Sequence, residues 1–351
     1  MTILGVETSC DECSLALVED GTRLIAQTIA TQVDVHAPYS GVVPEIASRK
    51  HTEWILDVYH KTMNDAGLQA GDIDGIAVTN RPGLSGSLVV GLSFAKAMAL
   101  SLGVPLIGVN HIPAHLYAPQ LEHEMGYPFL GLLVSGGHTL IALMHGFDDM
   151  EILGTTVDDA CGEAFDKVAK FLELGYPGGV IIDRLAKSGS SEAFRFPTSS
   201  ISDGPYRYDV SYSGLKTAVA NQMDKFWNRD YPKTNENIAA AFQKAAIDTL
   251  VTQLERAVAD TGVRTVVVGG GVAANSYLRQ SLLSRDDLDA VFPSMELCTD
   301  NGAMIAGLGY HYLSAGVADD LSVGVSARVG EYRPKRKKWS EPWGYVKQEA
   351  Q

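Results

Sequence analysis

Two histidines four residues apart are the residues of this chain best suited to chemistry. His111 and His115 follow a short apolar and β-branched run at residues 104–109, which predicts a buried strand. Pro113 suits the first turn of a helix, so a helix is predicted to begin here, with both imidazoles leaving the same face. Two histidines with this spacing are typical either of metal ligands or of capping and core residues.

A third candidate ligand separates these interpretations. Asp300 lies in the segment CTDNG at residues 298–302, after an apolar, strand-like run and at the start of a predicted helix. Open α/β sheets place their ligands at the carboxyl ends of strands. Two histidines and one carboxylate leave coordination positions open on Fe(II) or Zn(II), which suits a metal that also binds substrate. The sequence therefore predicts a metal site formed by His111, His115 and Asp300.

Length and composition indicate a cytoplasmic protein. The 351 residues are enough for two domains. No basic leader precedes the first predicted strand, and no apolar run is expected to reach membrane-spanning length. Four cysteines fit a reducing compartment. Cys10 and Cys13 form one C-x-x-C without a second pair, which favours two small hairpin residues over a redox or metal site.

The charge distribution limits how this chain can bind nucleic acid. A net charge of −14 argues against binding over the whole surface, because phosphates are neutralised by clustered Lys and Arg. One basic cluster exists, RPKRKK at residues 333–338, flanked by aromatic residues that include Trp339 and Trp343. It is either a solvated tail or a direct contact.

The hydrophobic pattern predicts an internal duplication. Residues 2–31 have the pattern of a three-stranded meander, with strands at 3–6, 13–18 and 22–27. Residues 128–157 repeat it, with strands at 129–134, at 139–144 and near 151–153. Each meander is followed by helical and strand segments. Repetition on this scale predicts two related lobes.

Lobe boundaries and further elements follow from the same patterns. We predict a first lobe at 1–127, a second lobe at 128–330 and a basic tail at 331–351, with a helix after Asp300 that can return to the first lobe. Residues 188–234 are interpreted as an insertion with little regular structure apart from 215–219. The other predicted helices cover 43–59, 88–102, 161–170, 236–260 and a segment carrying Asp183.

Two of these segments have features that bear on binding. The helix at 43–59 carries an apolar stripe that fits a core face or a partner-docking face. The stripe consists of Trp54, Ile55, Val58 and Tyr59. The turn GGGVAAN at 269–275 opens another predicted helix, and its missing side chains let a purine lie on the backbone.

Seven motifs lie between about residue 3 and residue 330. They are GVETSCDE at 5–12, GVVPEIASR at 41–49, HIPAH at 111–115, VSGGH at 134–138, AFDKVA at 164–169, GGGVAAN at 269–275 and CTDNGAMI at 298–305. Together they resemble the bacterial TsaD family of tRNA N6-adenosine threonylcarbamoyltransferases. The segment NRPG at 80–83 departs from the pattern, because glycine is expected before the proline. The two lobes also resemble the actin, Hsp70 and sugar-kinase architecture.

This resemblance implies a fold and a reaction. The fold is a duplicated actin-like (ASKHA, ribonuclease H-like) α/β fold of two lobes, with the active site in the inter-lobe cleft. The reaction moves the threonylcarbamoyl group from threonylcarbamoyl-AMP to N6 of the adenosine 3′ of the anticodon, in tRNAs that read codons beginning with A. AMP is released. The implied partners are the tRNA substrate, a TsaB-like paralogue and a TsaE-like ATPase, with no membrane.

The resemblance also implies roles for particular residues. One Fe(II) per subunit, with Zn(II) as the alternative, would be held by His111, His115 and Asp300. The turn that meets the carbonyl or phosphate end of the substrate would consist of Val134, Ser135, Gly136, Gly137 and His138. The ribose and base of the adenylate would be held by Asp166, Gly179, Asp183 and Asn275.

The chemistry of the substrate agrees with these residues. A mixed carbamoyl-phosphate anhydride is already activated, so no nucleophilic Ser or Cys is needed. A Lewis-acid metal and the backbone amides of Gly136 and Gly137 would stabilise charge on the carbonyl oxygen. Asp11 or Glu12 could accept the amine proton, or the acidic hairpin could serve only to orient a loop.

Three other functions were compared with these motifs. A zinc peptidase of the H-E-x-x-H type needs Glu directly after the first histidine, where this chain has Ile112. A sugar-kinase-like ATPase fits the architecture, but Glu7-Thr-Ser9 replaces the Asp-Gly-Thr of kinase phosphate loops. A scaffold with a vestigial site conflicts with the intact set of candidate ligands.

Overall fold

Two sheets of identical topology form the framework. The structure is a computed structural model that describes residues 1–198 and 204–328. Each sheet has five strands, and when they are numbered in chain order within the sheet, both sheets have the spatial order third, second, first, fourth, fifth. In each sheet the first three strands are antiparallel and the last two join in parallel. The predicted duplication and α/β fold are confirmed.

The strands contain the apolar segments that predicted them. In the first sheet they are β1 Thr2–Glu7, β2 Glu12–Glu19, β3 Arg23–Thr31, β4 Gly75–Arg81 and β5 Leu106–Asn110. In the second they are β6 Phe129–Val134, β7 Thr139–Met144, β8 Met150–Thr155, β9 Thr265–Gly269 and β10 Asp289–Val291. The central strands β1 and β6 are almost wholly buried, as expected for strands covered on both faces.

Helices cover both sheets. They are α1 Val33–His36, α2 Pro44–Ala66, α3 Ser85–Leu102, α4 His111–Tyr117, α5 Cys161–Phe171, α6 Gly178–Ala186, α7 Ser213–Phe226, α8 Asn235–Thr261, α9 Ser276–Leu283 and α10 Gly302–Ser314. The longest helix, α8, begins at a Thr234 side-chain cap and ends at Gly262 in the left-handed region.

Helix α10 follows the second sheet in the chain but packs on the first. A Cβ atom added to Gly5 of β1 would lie 2.1 Å from the carbonyl oxygen of Gly302. Glycine at position 5 therefore lets the helix backbone approach the central strand. This contact brings the residues just before α10, including Asp300, to the boundary between the lobes.

The apolar stripe on α2 is a core face, so its interpretation as a docking face is wrong. Ile55, Val58 and Tyr59 are 6%, 5% and 9% exposed and pack with the residues of β1, β2 and β4. Trp54 is half-buried against the same cluster. The helical periodicity identified the buried side correctly, but periodicity does not show what covers an apolar face. Leu56 on the opposite side of α2 is 57% exposed.

The insertion at 188–234 contains more helix than predicted. Helix α7 begins at Ser213 and extends to Phe226, well beyond 215–219, with non-helical backbone angles at Gln222. Its first turn is stabilised from outside the insertion, because the Asp158 carboxylate accepts hydrogen bonds from the backbone N–H groups of Tyr212 and Ser213. The predicted basic tail, 331–351, lies outside the described residues.

One helix exceeds the apolar length expected from the sequence. Within residues 1–198 and 204–328, only α3 is long and apolar enough to be a candidate membrane span. It packs against α2 and β4 in the first lobe. The expectation that no apolar run approaches spanning length was therefore too strict.

Candidate metal centre and active site

A cavity of about 720 Å³ separates the two lobes. Its walls come from the turns at the ends of strands in both sheets. From the first lobe they include residues 9–12, 40–42, 82–84 and His111; from the second they include 135–138, Asp166, Tyr176 and Gly271; and Thr299 and Asp300 precede α10. The cavity thus lies where open α/β sheets place their ligands.

The two histidines converge on one point in this cavity. Asn110 ends β5 and caps α4, since its side chain accepts a hydrogen bond from the N–H of Ile112. All seven residues of α4 are buried, including His111 and His115. The Nε2 atoms of the two imidazoles lie 3.0 Å apart. His115 lies behind His111 and does not line the cavity.

Asp300 completes the group. Its Oδ1 atom lies 3.0 Å from Nε2 of His115 and 3.5 Å from Nε2 of His111. The three ligand atoms lie within 4.8 Å of one another. Asp300 follows strand β10 and precedes α10, and a short 3₁₀ turn lies between it and the end of β10 at Val291. Asn301 fixes this position by capping α10 and donating to the carbonyl of Thr299.

Glu7, to which sequence reasoning gave no site role, orients the first histidine. Its buried Oε2 atom lies 3.0 Å from Nδ1 of His111 and accepts from the Thr79 hydroxyl at 2.5 Å. Oε1 accepts from the N–H of Ser9 at 2.5 Å. A carboxylate can only accept, so Nδ1 of His111 carries a proton, and Nε2 can offer its lone pair to a metal ion when no second proton occupies it. Metal-binding histidines commonly have this carboxylate partner.

Burial and the neighbouring charges shift the pKa values of the group in opposite directions. Burial lowers the pKa of His111, but the charges of Asp300 and Glu7 raise it, with a net rise to about 9. Burial and His111 lower the pKa of His115. Burial raises the pKa of Asp300, but the histidines outweigh it and hold that pKa well below its usual range. A cation is favoured among these groups, whether a proton or a metal ion.

The Ser135–His138 turn lines the same cavity as the candidate ligands His111 and Asp300. The N–H of Ser135 donates to the carbonyl of His138, and the N–H of His138 donates to the Ser135 hydroxyl. The His138 ring centroid is 6.4 Å from that of His111, and burial with the two other histidines lowers its pKa to about 4. Its neutral side chain was not singled out from the sequence. Gly136 and Gly137 line the cavity with open space above their Cα atoms.

The acidic hairpin, which carries Asp11 and Glu12, forms part of the cavity wall on the side of the first lobe. Asp11 is 8% exposed and Glu12 is half-buried, and both line the cavity. Glu12 accepts from the Thr31 hydroxyl at 3.2 Å. Burial, followed by the charges of Asp11 and Asp300, raises the pKa of Glu12 well above its usual range. A carboxylate with a raised pKa holds a proton more strongly, so it can act as a base near neutral pH.

Of the residues predicted for the adenylate, Asp166 is at the cavity. It accepts from the N–H groups of Gly178, at 2.7 Å, and Gly179 at the start of α6. Burial raises its pKa, and these two hydrogen bonds oppose the rise. Gly179 itself lies outside the cavity lining.

The other three predicted binding residues lie behind the wall. Asp183 accepts from the N–H and hydroxyl of Ser276, at 3.0 and 2.7 Å. Asn275 caps α9 and donates to Gln243 at 2.9 Å. Together they fix the turn that presents Gly271 to the cavity. Val134 ends β6 with no exposed surface, and its carbonyl lies close to Gly270.

The segment NRPG at 80–83, which departs from the family pattern, packs against the acidic hairpin. A Cβ atom on Gly83 would lie 2.6 Å from the carbonyl oxygen of Ser9, and the N–H of Leu84 donates to that carbonyl at 2.8 Å. Asn80 is buried and donates to the carbonyl of Gly324 at 3.2 Å. The segment therefore joins the C-terminal part of the described chain to the cavity wall.

Fold and site together define a duplicated actin-like α/β protein with a group of candidate metal ligands at its inter-lobe cavity. Among solved structures, full-length HypF is similar with a TM-score of 0.62 and 15% identity, over 91% of this chain and 47% of that one. Component A of (R)-2-hydroxyglutaryl-CoA dehydratase from Acidaminococcus fermentans has a TM-score of 0.54 and 14% identity, over 90% and 99%. At these identities the likeness shows the fold alone.

Sequence comparison shows the family. Residues 23–307 match TsaD, tRNA N6-adenosine threonylcarbamoyltransferase. The tRNA N6-adenosine threonylcarbamoyltransferase of Treponema denticola is 58% identical over 335 residues, which cover 95% of this chain and 99% of that protein. The chain belongs to the TsaD family. The resemblance and the transferase class predicted from the motifs are confirmed.

The structure argues against two of the other functions, the sugar kinase and the zinc peptidase. The kinase interpretation needs a carboxylate at the end of β1 that is free to bind a metal–nucleotide complex. Here the Glu7 carboxylate is occupied by Ser9, Thr79 and His111. The peptidase interpretation needs a base at position 112, where Ile112 is fully buried.

Proposed function

We propose that this chain transfers the threonylcarbamoyl group of threonylcarbamoyl-AMP to N6 of the adenosine 3′ of the anticodon, in tRNAs reading codons that begin with A. The observation that carries the proposal is the convergence of three features on one cavity. These are the His111–His115–Asp300 cluster, the glycine turn at 135–138 and the acid pair at 11–12.

The donor atoms of the cluster fit a metal ion. With its proton on Nδ1, His111 directs a lone pair at the same point as Asp300 Oδ1 and the Nε2 atom of His115. Two imidazoles and one carboxylate suit Fe(II), with Zn(II) as the alternative. When bound, the ion supplies Lewis-acid stabilisation of negative charge on the substrate carbonyl oxygen. Ala in place of either histidine should remove most of the metal measured by elemental analysis.

Residues near His111, His115 and Asp300 would carry out the remaining steps of the reaction. The N6 amine attacks the carbonyl carbon, the bond from that carbon to the phosphate oxygen breaks, and AMP leaves with the electron pair. The backbone N–H groups of Gly136 and Gly137, which line the cavity, would stabilise the developing oxyanion. Asp11 or Glu12 accepts the proton released from N6.

Adenylate recognition is proposed for the second-lobe wall. Asp166 offers a carboxylate at the cavity, and Gly271 offers an uncovered backbone on which a purine can lie. Asp183, Asn275 and Gly179 would act on the adenylate by holding these surfaces in place. Asp166→Ala should weaken adenylate binding by roughly 1–3 kcal/mol, through lost hydrogen bonds to a charged group.

Partners and location are also proposals. We expect an acidic chain acting on tRNA to work with a TsaB-like paralogue and a TsaE-like ATPase in the cytoplasm, where tRNA is. If α2 contributes to a partner contact, it must do so through its exposed side, where Leu56 lies.

The test supplies purified threonylcarbamoyl-AMP, unmodified tRNA and the partner proteins without ATP, and follows modified adenosine by mass spectrometry. Modification is expected, because the anhydride already carries the activation energy. His111→Ala should reduce turnover far more than adenylate binding, and Asp166→Ala should do the reverse. A strict requirement for ATP hydrolysis in the transfer step, or full activity in both variants, would contradict the proposal.

A further inference from the structure

Three polar side chains are completely buried beneath the cavity wall of the first lobe, and the reaction just described does not use them. Gln32, His36 and His51 each have no exposed surface. Buried polar groups need hydrogen-bond partners, so their bonds show what they hold in place. We refer to these three residues as the buried polar cluster.

The buried polar cluster holds the backbone of the acidic hairpin. Nε2 of His51 lies 2.8 Å from the carbonyl oxygen of Cys10, and the backbone N–H of Gln32 donates to the carbonyl of Asp11 at 3.1 Å. Two successive carbonyls at the base of the acid pair are therefore fixed from behind. The direction of the Asp11 and Glu12 side chains depends on this backbone.

The buried polar cluster also holds the loop at 40–42, which lines the cavity. The N–H of Val43 donates to Nδ1 of His36 at 3.3 Å, directly after residues 40–42 of the cavity lining. Ser40 in this loop has φ of 53°, a left-handed conformation that a serine adopts only when its surroundings impose it. The bond from Val43 to His36 closes the loop around this residue.

The proton positions follow uniquely from these contacts. Because carbonyl oxygens only accept, Nε2 of His51 carries a proton. The Gln32 amide nitrogen also donates, to the carbonyl of Ala47 at 3.3 Å, so its oxygen accepts from Nε2–H of His36 at 3.2 Å. Nδ1 of His36 is then free to accept from Val43. Gln32 and His36 therefore link the loop at 40–42 to the carbonyl of Asp11, and His51 separately holds the carbonyl of Cys10.

We infer that Gln32, His36 and His51 are positioning residues that hold the acidic hairpin and the loop at 40–42 in the geometry that the transfer reaction requires. The inference rests on the proposed function. It predicts that the proton on Nε2 of His51 matters for turnover, and that the imidazole ring as such does not.

Replacements at position 51 separate these possibilities. The amide nitrogen of Gln reaches as far as Nε2 of histidine, whereas that of Asn reaches only as far as Nδ1. His51→Gln should keep kcat within about threefold of the wild type, and His51→Asn and His51→Ala should lose roughly tenfold, because the Cys10 carbonyl loses its donor. Bound metal per chain should be unchanged in all three variants.

The measurements are kcat and KM for threonylcarbamoyl-AMP, AMP binding by calorimetry and the melting temperature. Equal losses in His51→Gln and His51→Asn that follow their losses of stability would overturn the positioning role. Failure of the proposed function is distinguishable, since the wild type would then form no threonylcarbamoyladenosine. In that event the inference is overturned as well, because the geometry that it explains is that of the transfer reaction.

Discussion

Replacing Glu7 by Gln tests whether Glu7 prepares the proposed metal site. Three donors share the Glu7 carboxylate: the N–H of Ser9, the hydroxyl of Thr79 and Nδ1–H of His111. Glutamine keeps one acceptor oxygen and places an NH₂ group at the other position. The Ser9 backbone cannot reverse its donor, so the amide oxygen remains there and the NH₂ group faces His111.

This arrangement should change the tautomer of His111. The Thr79 hydroxyl can rotate and accept from the new NH₂ group, but Nδ1–H of His111 cannot remain opposite a donor. The proton then moves to Nε2, where it blocks the lone pair that points to the metal. Loss of such a carboxylate partner lowers metal affinity by about 10- to 100-fold, which is about 1.4 to 2.8 kcal/mol.

The assay is competition for iron or zinc against a chelator of known affinity, with the melting temperature measured beside it. Glu19→Gln is the matched control, because Glu19 pairs with Arg23 at the surface and should leave the affinity unchanged. Wild-type metal affinity in a folded Glu7→Gln protein would refute the role of Glu7. So would a loss no larger than that of Glu19→Gln.

The remaining predictions concern the framework. Val58→Glu should lower the free energy of unfolding by more than about 3 kcal/mol, because it buries an unpaired carboxylate in the α2 core face. Leu56→Glu on the exposed side is the control, and equal urea midpoints for the two variants would contradict the assignment. Asp159→Asn should cost roughly 1 kcal/mol at pH 7, since Asp159 bridges Lys167 on α5 and Lys216 on α7 at 2.6 Å. Burial raises the pKa of Asp159, but the two lysines lower it overall, so its contribution is present above the unfolded pKa and is lost as the pH falls through the lower, folded value. The variant should therefore lose less stability between pH 5 and pH 2 in acid titrations monitored by circular dichroism, and an unchanged acid slope would exclude the bridge.

Local patterns in the sequence were enough to predict most of the framework. Short apolar runs separated by turn residues defined both meanders, and their repetition predicted two related lobes. Pro113 after His111 predicted the helix start that sets the two imidazoles on one face. These features depend on neighbouring residues, so a single sequence contains them.

Features that depend on distant residues were missed or misjudged. The role of Glu7 depends on His111, which begins the distant helix α4, and the full length of α7 depends on Asp158. The stripe on α2 shows the same limit, since Val58 is apolar whether a sheet or a partner covers it. That Asp183 and Asn275 hold the adenylate stays a prediction; the sequence did not show that their side chains bond to Ser276 and Gln243.

The central claim is that transfer takes place at the His111–His115–Asp300 cluster. The most direct measurement removes metal from the purified chain with a chelator, adds Fe(II) in steps, and follows the threonylcarbamoyladenosine formed on tRNA from threonylcarbamoyl-AMP. Modification should be nearly absent in the stripped protein and should rise to a plateau at one iron per chain, with no recovery in His115→Ala. A rate that is independent of added metal, or full recovery in His115→Ala, would contradict the account.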